Sequence, residues 1–268
     1  MQTIKHMIND HSYFRGFMHD VPGQNGQTTF PTMVIVPGGS YTHIPEAQAE
    51  SVALAFFAQG YNAVYLRYSF IGEIIPLLPA PLIELAQTVH QLKTTPAWPV
   101  ANDQVVIFGM SVGGNLTSLY NDYWHTDWLT TASASTPDQL EPTGVILGYP
   151  VISPNLGFPK DAHTLAQWTD DPARFAAEQH VSVHNKPTFA WVTAEDQAVP
   201  VKNTLQYVQA MTDHHQPVEL HLFNHGPHGL ALANQVTEWK PGTNLPHVAH
   251  WFTLAQEWLT DLFTKPTA

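Results

Sequence analysis

The sequence predicts an α/β fold in which a mostly parallel central sheet is covered by helices on both faces. Short apolar runs recur along the chain, and stretches with helical spacing lie between them. Parallel strands need such crossover helices, and strands that are covered on both faces are apolar throughout. The length of 268 residues suits one large core. We therefore expect residues 1–268 to form one α/β domain.

Each predicted strand is a short run rich in apolar and β-branched side chains, bounded by turn residues. Strands are expected at residues 13–18, 32–36, 63–68, 104–108, 144–149, 188–193 and 218–223, with a turn at 23–26. Helices are expected at residues 47–59, 81–94, 201–211 and 247–263. Two proline-containing segments, 70–80 and 153–184, each follow a predicted strand and are candidates for small lid-like insertions or pocket walls.

The composition is that of a globular protein, with 44% hydrophobic and 12% charged residues. Ten Lys and Arg residues stand against 22 Asp and Glu residues, which gives a formal net charge of −12. Nucleic acids and anionic membrane surfaces attract basic patches. Neither is therefore an expected partner of this acidic chain.

The chain contains no cysteine, which excludes disulfides, thiolate metal sites and a cysteine nucleophile. Its 16 histidines do not form the HExxH motif, and we expect neither a metal nor another cofactor. The first residues do not resemble a signal peptide, and no apolar stretch approaches the roughly 18 residues of a membrane span. A cytoplasmic protein without a membrane span is expected, and assembly into a homo-oligomer stays open.

Ser111 is the centre of a G-x-S-x-G pattern at 109–113, directly after the predicted strand 104–108. Apolar residues at helical spacing follow it, at 114–120. A strand, this pattern and a helix together form a nucleophile elbow, a tight turn that holds the serine oxygen above the sheet. The glycines leave room for the neighbouring strand and helix. Ser111 is therefore the candidate nucleophile.

A serine hydroxyl needs a base, and the base needs a carboxylate that orients it. In this kind of fold the chain order is Ser, then Asp or Glu, then His. Asp196 follows the predicted strand 188–193 and is the candidate carboxylate, with Glu195 as its rival.

His228 follows the predicted strand 218–223 and precedes a helix-like run at 230–236. A loop in this position can bring an imidazole to the serine, so His228 is the candidate base and His225 the second choice. Acyl transfer also needs backbone N–H groups that stabilise an oxyanion. We expect them from Val112, directly after the serine, and from Gly38 and Gly39, which follow the strand 32–36.

Four segments carry a resemblance to a known family: VIVPGGSY at 34–41, FGMSVGGN at 108–115, DQAVP at 196–200 and GPHGL at 226–230. The chain resembles the small bacterial α/β-hydrolase carboxylesterases, the acetyl-esterase group related to the hormone-sensitive-lipase type. The resemblance implies an α/β-hydrolase fold with Ser111 as nucleophile, Asp196 as acid and His228 as base. It also implies short acyl esters as substrates, often acetyl groups on carbohydrates. The loop reads PGGS where many relatives have HGGG.

The expected partner is a small-molecule ester, bound in a pocket that is built by loops at the strand ends. The candidate substrate-binding residues are Ser40, Tyr41, Tyr68, Met110 and Pro150. The catalytic residues do not separate an esterase from a serine peptidase or amidase, because both form an acyl-enzyme. A non-catalytic binding protein with the same fold also stays open.

Overall fold

The central feature of the fold is an eight-stranded sheet with the strand order β1-β2-β4-β3-β5-β6-β7-β8. The computed structural model describes residues 1–23 and 26–264. Strands β1 and β2 pair antiparallel at one edge, β2 is also antiparallel to β4, and the strands from β4 to β8 are parallel. The predicted α/β fold is therefore confirmed. The turn expected at 23–26 includes Gln24 and Asn25, which lie outside the described residues.

The strands have the following bounds: β1 Gln2–Met7, β2 Tyr13–Met18, β3 Phe30–Val36, β4 Asn62–Arg67, β5 Val100–Met110, β6 Gly144–Gly148, β7 Thr188–Thr193 and β8 Val218–Phe223. The helices have the following bounds: α1 Glu46–Phe57, α2 Ala80–Thr94, α3 Val112–Tyr123, α4 Asp127–Ala132, α5 Pro137–Leu140, α6 Ala162–Trp168, α7 Lys202–Asp213 and α8 Pro246–Thr264. Among the described residues, no helix is both long and apolar enough to cross a bilayer.

Apolar side chains on the two faces of the sheet build two cores. On one face, Leu116 of α3 and Tyr207 of α7 pack in one cluster with Ile107 of β5. On the other face, Phe56 of α1 and Trp251 of α8 pack in a second cluster with strand side chains. Because successive strand residues point to opposite faces, the central strands need apolar residues at every position.

The sequence-based prediction missed β1 and the short helices α4, α5 and α6. Strand β1 alternates exposed and half-buried residues at the edge of the sheet, so its apolar signal is weak. The prediction of a helix-like segment at 230–236 is wrong, because these residues form turns. Its apolar residues Leu230, Ala231 and Leu232 are buried by the core beneath α8, and that burial explains the apolar pattern without a helix.

The two candidate lid segments, 70–80 and 153–184, pack against each other and against the body of the protein. The N–H groups of Leu77 and Leu78 donate to the carbonyls of Gln167 and Trp168, at 3.0 and 2.8 Å. Trp168 is fully buried, and its ring meets that of Tyr41 edge-on with centroids 4.7 Å apart. The segments therefore cover the loop that follows β3.

Asp122 of α3 is a buried carboxyl group with an incomplete set of partners. Its Oδ1 accepts hydrogen bonds from Asn185 Nδ2 at 2.6 Å and from the Tyr207 hydroxyl at 3.1 Å. Its Oδ2 has no partner within the part of the chain that the structure describes. Burial, together with the nearby Glu178, raises the pKa of Asp122 well above its ordinary value of 3.8.

We predict that Asp122→Asn stabilises the protein above pH 4, by about 1 kcal/mol near pH 7. The raised pKa means that the unfolded chain releases this proton at a lower pH than the folded chain does. Folding stability is therefore lost as the pH rises through this range, and the asparagine variant avoids that loss. Thermal unfolding measures the effect. The unfolding temperature of the variant should exceed that of the wild type by more at pH 8 than at pH 5.

Asp10→Asn is the matched control, because Asp10 lies exposed in the turn between β1 and β2. Its unfolding temperature should follow that of the wild type at both pH values. A destabilised Asp122→Asn variant at pH 8 would contradict the prediction.

Candidate active site

Ser111 lies at the sharp turn between β5 and α3. Its backbone has φ 55° and ψ −123°, a conformation that L-residues adopt only under constraint. The constraint comes from neighbouring backbone: the Ser111 N–H donates to the carbonyl of Gly148 at 3.1 Å. The Ser111 carbonyl accepts hydrogen bonds from the N–H groups of Gly114 and Val151, both at 2.9 Å. Backbone at the end of β6 therefore fixes the serine.

The glycines on both sides of Ser111 are required by close packing. A Cβ atom on Gly109 would lie 2.3 Å from the carbonyl oxygen of Gly113. A Cβ atom on Gly113 would lie 2.1 Å from the carbonyl oxygen of Val36. Helix α3 can therefore begin directly against β3 and β5 only because both positions lack a side chain.

Three side chains from the carboxyl ends of β5, β7 and β8 meet at this turn. Ser111 Oγ lies 2.7 Å from His228 Nε2, and His228 Nδ1 lies 2.6 Å from Asp196 Oδ2. The side chain of Asp196 is fully buried, whereas that of His228 is 20% exposed. The structure thus brings the three predicted residues into one hydrogen-bonded chain that opens to solvent at the imidazole.

Backbone amides and an aromatic ring hold the carboxylate and the imidazole in place. Asp196 Oδ1 accepts hydrogen bonds from the N–H groups of Ala198 and Val199, both at 2.9 Å. The ring of Tyr149 meets the His228 ring edge-on, with centroids 4.9 Å apart. Burial raises the pKa of Tyr149, so its hydroxyl is neutral, and it accepts a hydrogen bond from the Ala231 N–H at 3.0 Å. Sequence reasoning did not single out Tyr149.

The rival candidates for carboxylate and base pair with each other at the surface. Glu195 Oε1 lies 3.0 Å from His225 Nδ1, and both side chains are more than half exposed. Neither side chain contributes to the hydrogen-bonded chain at Ser111.

The loop after β3 lies directly against Ser111. A Cβ atom on Gly38 would lie 3.0 Å from Ser111 Cβ and 3.6 Å from its Oγ. Gly39 has φ +106°, and a Cβ atom there would lie 1.9 Å from the carbonyl oxygen of His43. Val112 is the first residue of α3, so its N–H has no acceptor within the helix. The predicted oxyanion-hole residues therefore surround the serine.

Tyr41 and Tyr68 support this loop from beneath instead of facing a pocket. The Tyr68 hydroxyl donates to the carbonyls of Pro37 and Gly38, at 2.7 and 3.0 Å. The Tyr41 hydroxyl donates to Asn115 Oδ1 at 3.0 Å. Both tyrosines are fully buried, so the expectation that they contact substrate does not fit this structure. The sequence alone does not show whether a tyrosine at a strand end points into the core or toward a pocket.

Of the other three predicted substrate-binding residues, two are buried and one is exposed. Met110 is 1% exposed, and Pro150 is buried so closely that a Cβ atom on Gly114 would lie 2.4 Å from its Cβ. Ser40 is exposed on the loop. Asn115, which sequence reasoning missed, joins the loop to the second lid segment, because its Oδ1 accepts from the Tyr41 hydroxyl and its Nδ2 donates to the carbonyl of Phe175 at 3.4 Å.

A cleft of about 850 Å³ opens beside His228. Its walls are Gly39, the first turns of α1 and residues 236–240. Gly39, on the loop after β3, and the imidazole of His228 therefore both border a space that a substrate can enter.

Solved structures that resemble this fold over nearly the whole chain include carboxylesterases. A Lactobacillus plantarum protein assigned as a carboxylesterase is 47% identical, with a TM-score of 0.80 and coverage of 97% of this chain and 98% of that chain. The carboxylesterase Cest-2923 from Lactobacillus plantarum WCFS1 is 31% identical, with a TM-score of 0.90 and full coverage of both chains. The chain belongs to the α/β-hydrolase carboxylesterases. It is a carboxylic ester hydrolase, as the sequence predicted.

Two further similarities extend the comparison for this carboxylesterase. A sugar hydrolase from Lactococcus lactis is 31% identical, with a TM-score of 0.84 and coverage of 98% of both chains. Endo-1,4-beta-xylanase B from Butyrivibrio fibrisolvens is 31% identical over 212 residues, which are 75% of this chain and 33% of that protein. The chain spans about a third of the length of the curated relatives that it matches. No protein-family model matches it.

We predict that Gly39→Ala lowers the turnover number of this carboxylesterase about 100-fold, the size of the loss expected when one oxyanion donor is displaced. The added methyl group would meet the His43 carbonyl, and it would also strain the positive φ. The loop must therefore shift away from Ser111. Steady-state hydrolysis of p-nitrophenyl acetate measures the effect.

Gly60→Ala provides the control, because Gly60 has φ +95° but its added Cβ would contact nothing within 4 Å. Gly60 lies after α1, away from the loop that contains Gly39. Alanine at this position therefore strains a positive φ in the same way but causes no clash at that loop. We expect Gly60→Ala to cost stability and leave turnover unchanged. Equal turnover in the two variants would contradict the proposed position of the loop.

Proposed function

We propose that this carboxylesterase hydrolyses short-chain acyl esters, acetyl esters above all, through an acyl-enzyme on Ser111. The observation that supports the proposal is the chain of two short contacts, from Ser111 Oγ to His228 Nε2 and from His228 Nδ1 to Asp196 Oδ2. In this geometry one proton can leave the hydroxyl while the imidazole remains oriented by the carboxylate.

In the first half of the reaction, Ser111 Oγ attacks the acyl carbon and His228 Nε2 accepts the hydroxyl proton. The carbonyl oxygen becomes the oxyanion of a tetrahedral intermediate. The intermediate then collapses, its bond to the alcohol oxygen breaks, and His228 donates the proton to the departing alcohol. The acyl group remains bound to Ser111 as an ester.

In the second half, a water molecule attacks this ester while His228 accepts one of its protons. The second tetrahedral intermediate breaks its bond to Ser111 Oγ, which regains the proton from His228. The products are a carboxylic acid and the free enzyme. Asp196 accepts the Nδ1–H of His228 throughout and stabilises the imidazolium. The two amides on Asp196 Oδ1 hold the carboxylate in place.

The oxyanion of both intermediates needs donors that are already in position. We assign this role to the N–H of Val112, at the positive end of α3, and to the N–H groups of the Gly38–Gly39 loop. Support for this assignment comes from the close approach of Gly38 to Ser111 and from the tyrosine hydroxyls that fix the loop from beneath. Exposed Ser40 is the one predicted substrate-binding residue that is free to contact substrate directly.

Large buried rings favour a short acyl group. Tyr41, Tyr68 and Trp168 fill the layer behind the oxyanion loop, and all three are fully buried. The names of two relatives, a sugar hydrolase and a xylanase, support an alcohol portion derived from a carbohydrate.

We predict that Ser111→Ala, His228→Ala and Asp196→Asn each lower the turnover of p-nitrophenyl acetate by about 10⁴-fold. The first variant lacks the nucleophile, the second lacks the base, and the third cannot orient the imidazole. A fluorophosphonate probe should label the wild type on Ser111 and should not label Ser111→Ala.

The neighbouring surface pair supplies matched controls. His225→Ala and Glu195→Gln change the same residue types one to three positions away, and we expect wild-type turnover from both. Full activity in Ser111→Ala, or a loss in His225→Ala as large as in His228→Ala, would overturn the assignment.

We further predict that activity falls steeply along a series of p-nitrophenyl esters from acetate to octanoate. The buried rings behind the loop leave a long acyl chain no space without repacking, and overpacking costs about 1–3 kcal/mol. Equal kcat/KM for acetate and octanoate would contradict the short-acyl proposal.

A further inference from the structure

Trp239 is a large exposed ring held on the wall of the cleft beside His228. Its side chain is 55% exposed, while its Nε1 donates to the carbonyl of Gly229 at 3.0 Å. Gly229 directly follows His228, so the indole is fixed one residue away from the imidazole. Lys240 Nζ lies 4.5 Å from the ring centroid and restrains the ring further. An aromatic ring that is ordered but not buried is typical of a binding surface.

The chemistry identifies which part of the substrate enters this cleft. This step rests on the proposed function: His228 must donate a proton to the departing alcohol, so the alcohol oxygen leaves on the imidazole side of Ser111. His228, Gly39 and Trp239 all line the cleft. The alcohol portion of the ester therefore extends toward Trp239.

The cleft combines this ring with polar side chains. Gln48 and Ser51 of α1, His43, and Gln197 face it as potential hydrogen-bond donors and acceptors. A polyhydroxylated ring with one apolar face matches such a surface, because its C–H groups pack on the indole while its hydroxyls find polar partners.

Charge argues against an anionic alcohol portion. Glu46 and Glu238 line the cleft, and Lys240, the one Lys or Arg among its described lining residues, lies over the indole. An alkyl alcohol would leave the Gln48 amide without a partner once it displaced the water around that amide. We infer that the cleft is a subsite for a neutral carbohydrate alcohol and that Trp239 is the residue that selects it.

The experiment compares two acetyl esters that share the reacting group and differ in the alcohol. Acetylated methyl xyloside carries a sugar ring that can pack on Trp239, whereas ethyl acetate carries only an ethyl group. We expect Trp239→Ala to lower the ratio of kcat/KM for the xyloside ester over ethyl acetate about tenfold, mainly through a higher KM. The ratio cancels any loss of folded enzyme, because both substrates report on the same active molecules.

Two further variants separate the ring from other effects. Trp239→Phe keeps an aromatic ring and removes the hydrogen bond to Gly229, and we expect it to keep most of the preference. Trp258→Ala removes an indole from a second cavity, at the amino ends of the strands, and should leave the ratio unchanged.

The results also distinguish this inference from the proposed function. The subsite is overturned if Trp239→Ala keeps the wild-type ratio, if Trp239→Phe loses as much as Trp239→Ala, or if the wild type hydrolyses ethyl acetate but not the xyloside ester. In each case fluorophosphonate labelling of Ser111 still tests the catalytic chemistry separately. A Ser111→Ala variant that remains active would overturn the mechanism instead.

Discussion

The strained turn at Ser111 is the constraint on which the site depends. A non-glycine residue with positive φ costs about 1–3 kcal/mol, and here the cost is offset by three backbone hydrogen bonds and by helix packing that tolerates only glycine at 109 and 113. Two of those bonds come from Gly148 and Val151, which flank Tyr149. The same contacts that hold the serine therefore also place the ring that packs against His228.

Several strained backbone conformations lie around this turn, and others lie elsewhere, at Ala134 after α4 and at His215 after α7. Ser40, Tyr41 and Tyr149 also have positive φ, and all three lie on loops that meet Ser111 or His228. Such conformations persist only where surrounding packing over-determines them. Here the surrounding packing includes the hydroxyls of Tyr41 and Tyr68, which bind Asn115 and the loop carbonyls. The buried tyrosines thus act on the reaction through the backbone that they hold.

The sequence predicted the features that follow from local pattern. Strands such as β6 are apolar throughout, and the G-x-S-x-G pattern at Ser111 requires a turn, so both were predictable. The chain order placed Asp196 and His228 at neighbouring strand ends, where the structure brings them together. The exposure of individual side chains was not predictable from local pattern. Whether Tyr68 points into the core, for example, depends on residues that are distant in the sequence. The helical prediction at 230–236 failed because burial beneath α8, and not amphipathic helix formation, keeps Leu230 and Leu232 apolar.

The two sides of Ser111 differ in how deeply their side chains are buried, and this difference affects which part of the substrate each side can select. Behind the oxyanion loop, fully buried rings of Tyr41, Tyr68 and Trp168 join the loop to the lid segments, so a change there also moves the backbone donors. Beside His228, the cleft is lined by side chains such as half-buried Gln48 and exposed Trp239, and Trp239 donates a hydrogen bond to the carbonyl of Gly229, which follows His228. Substitutions on this side can change the alcohol that is accepted without disturbing the turn at Ser111. Under the proposed function, the acyl preference is therefore coupled to catalysis, whereas the alcohol preference is free to vary.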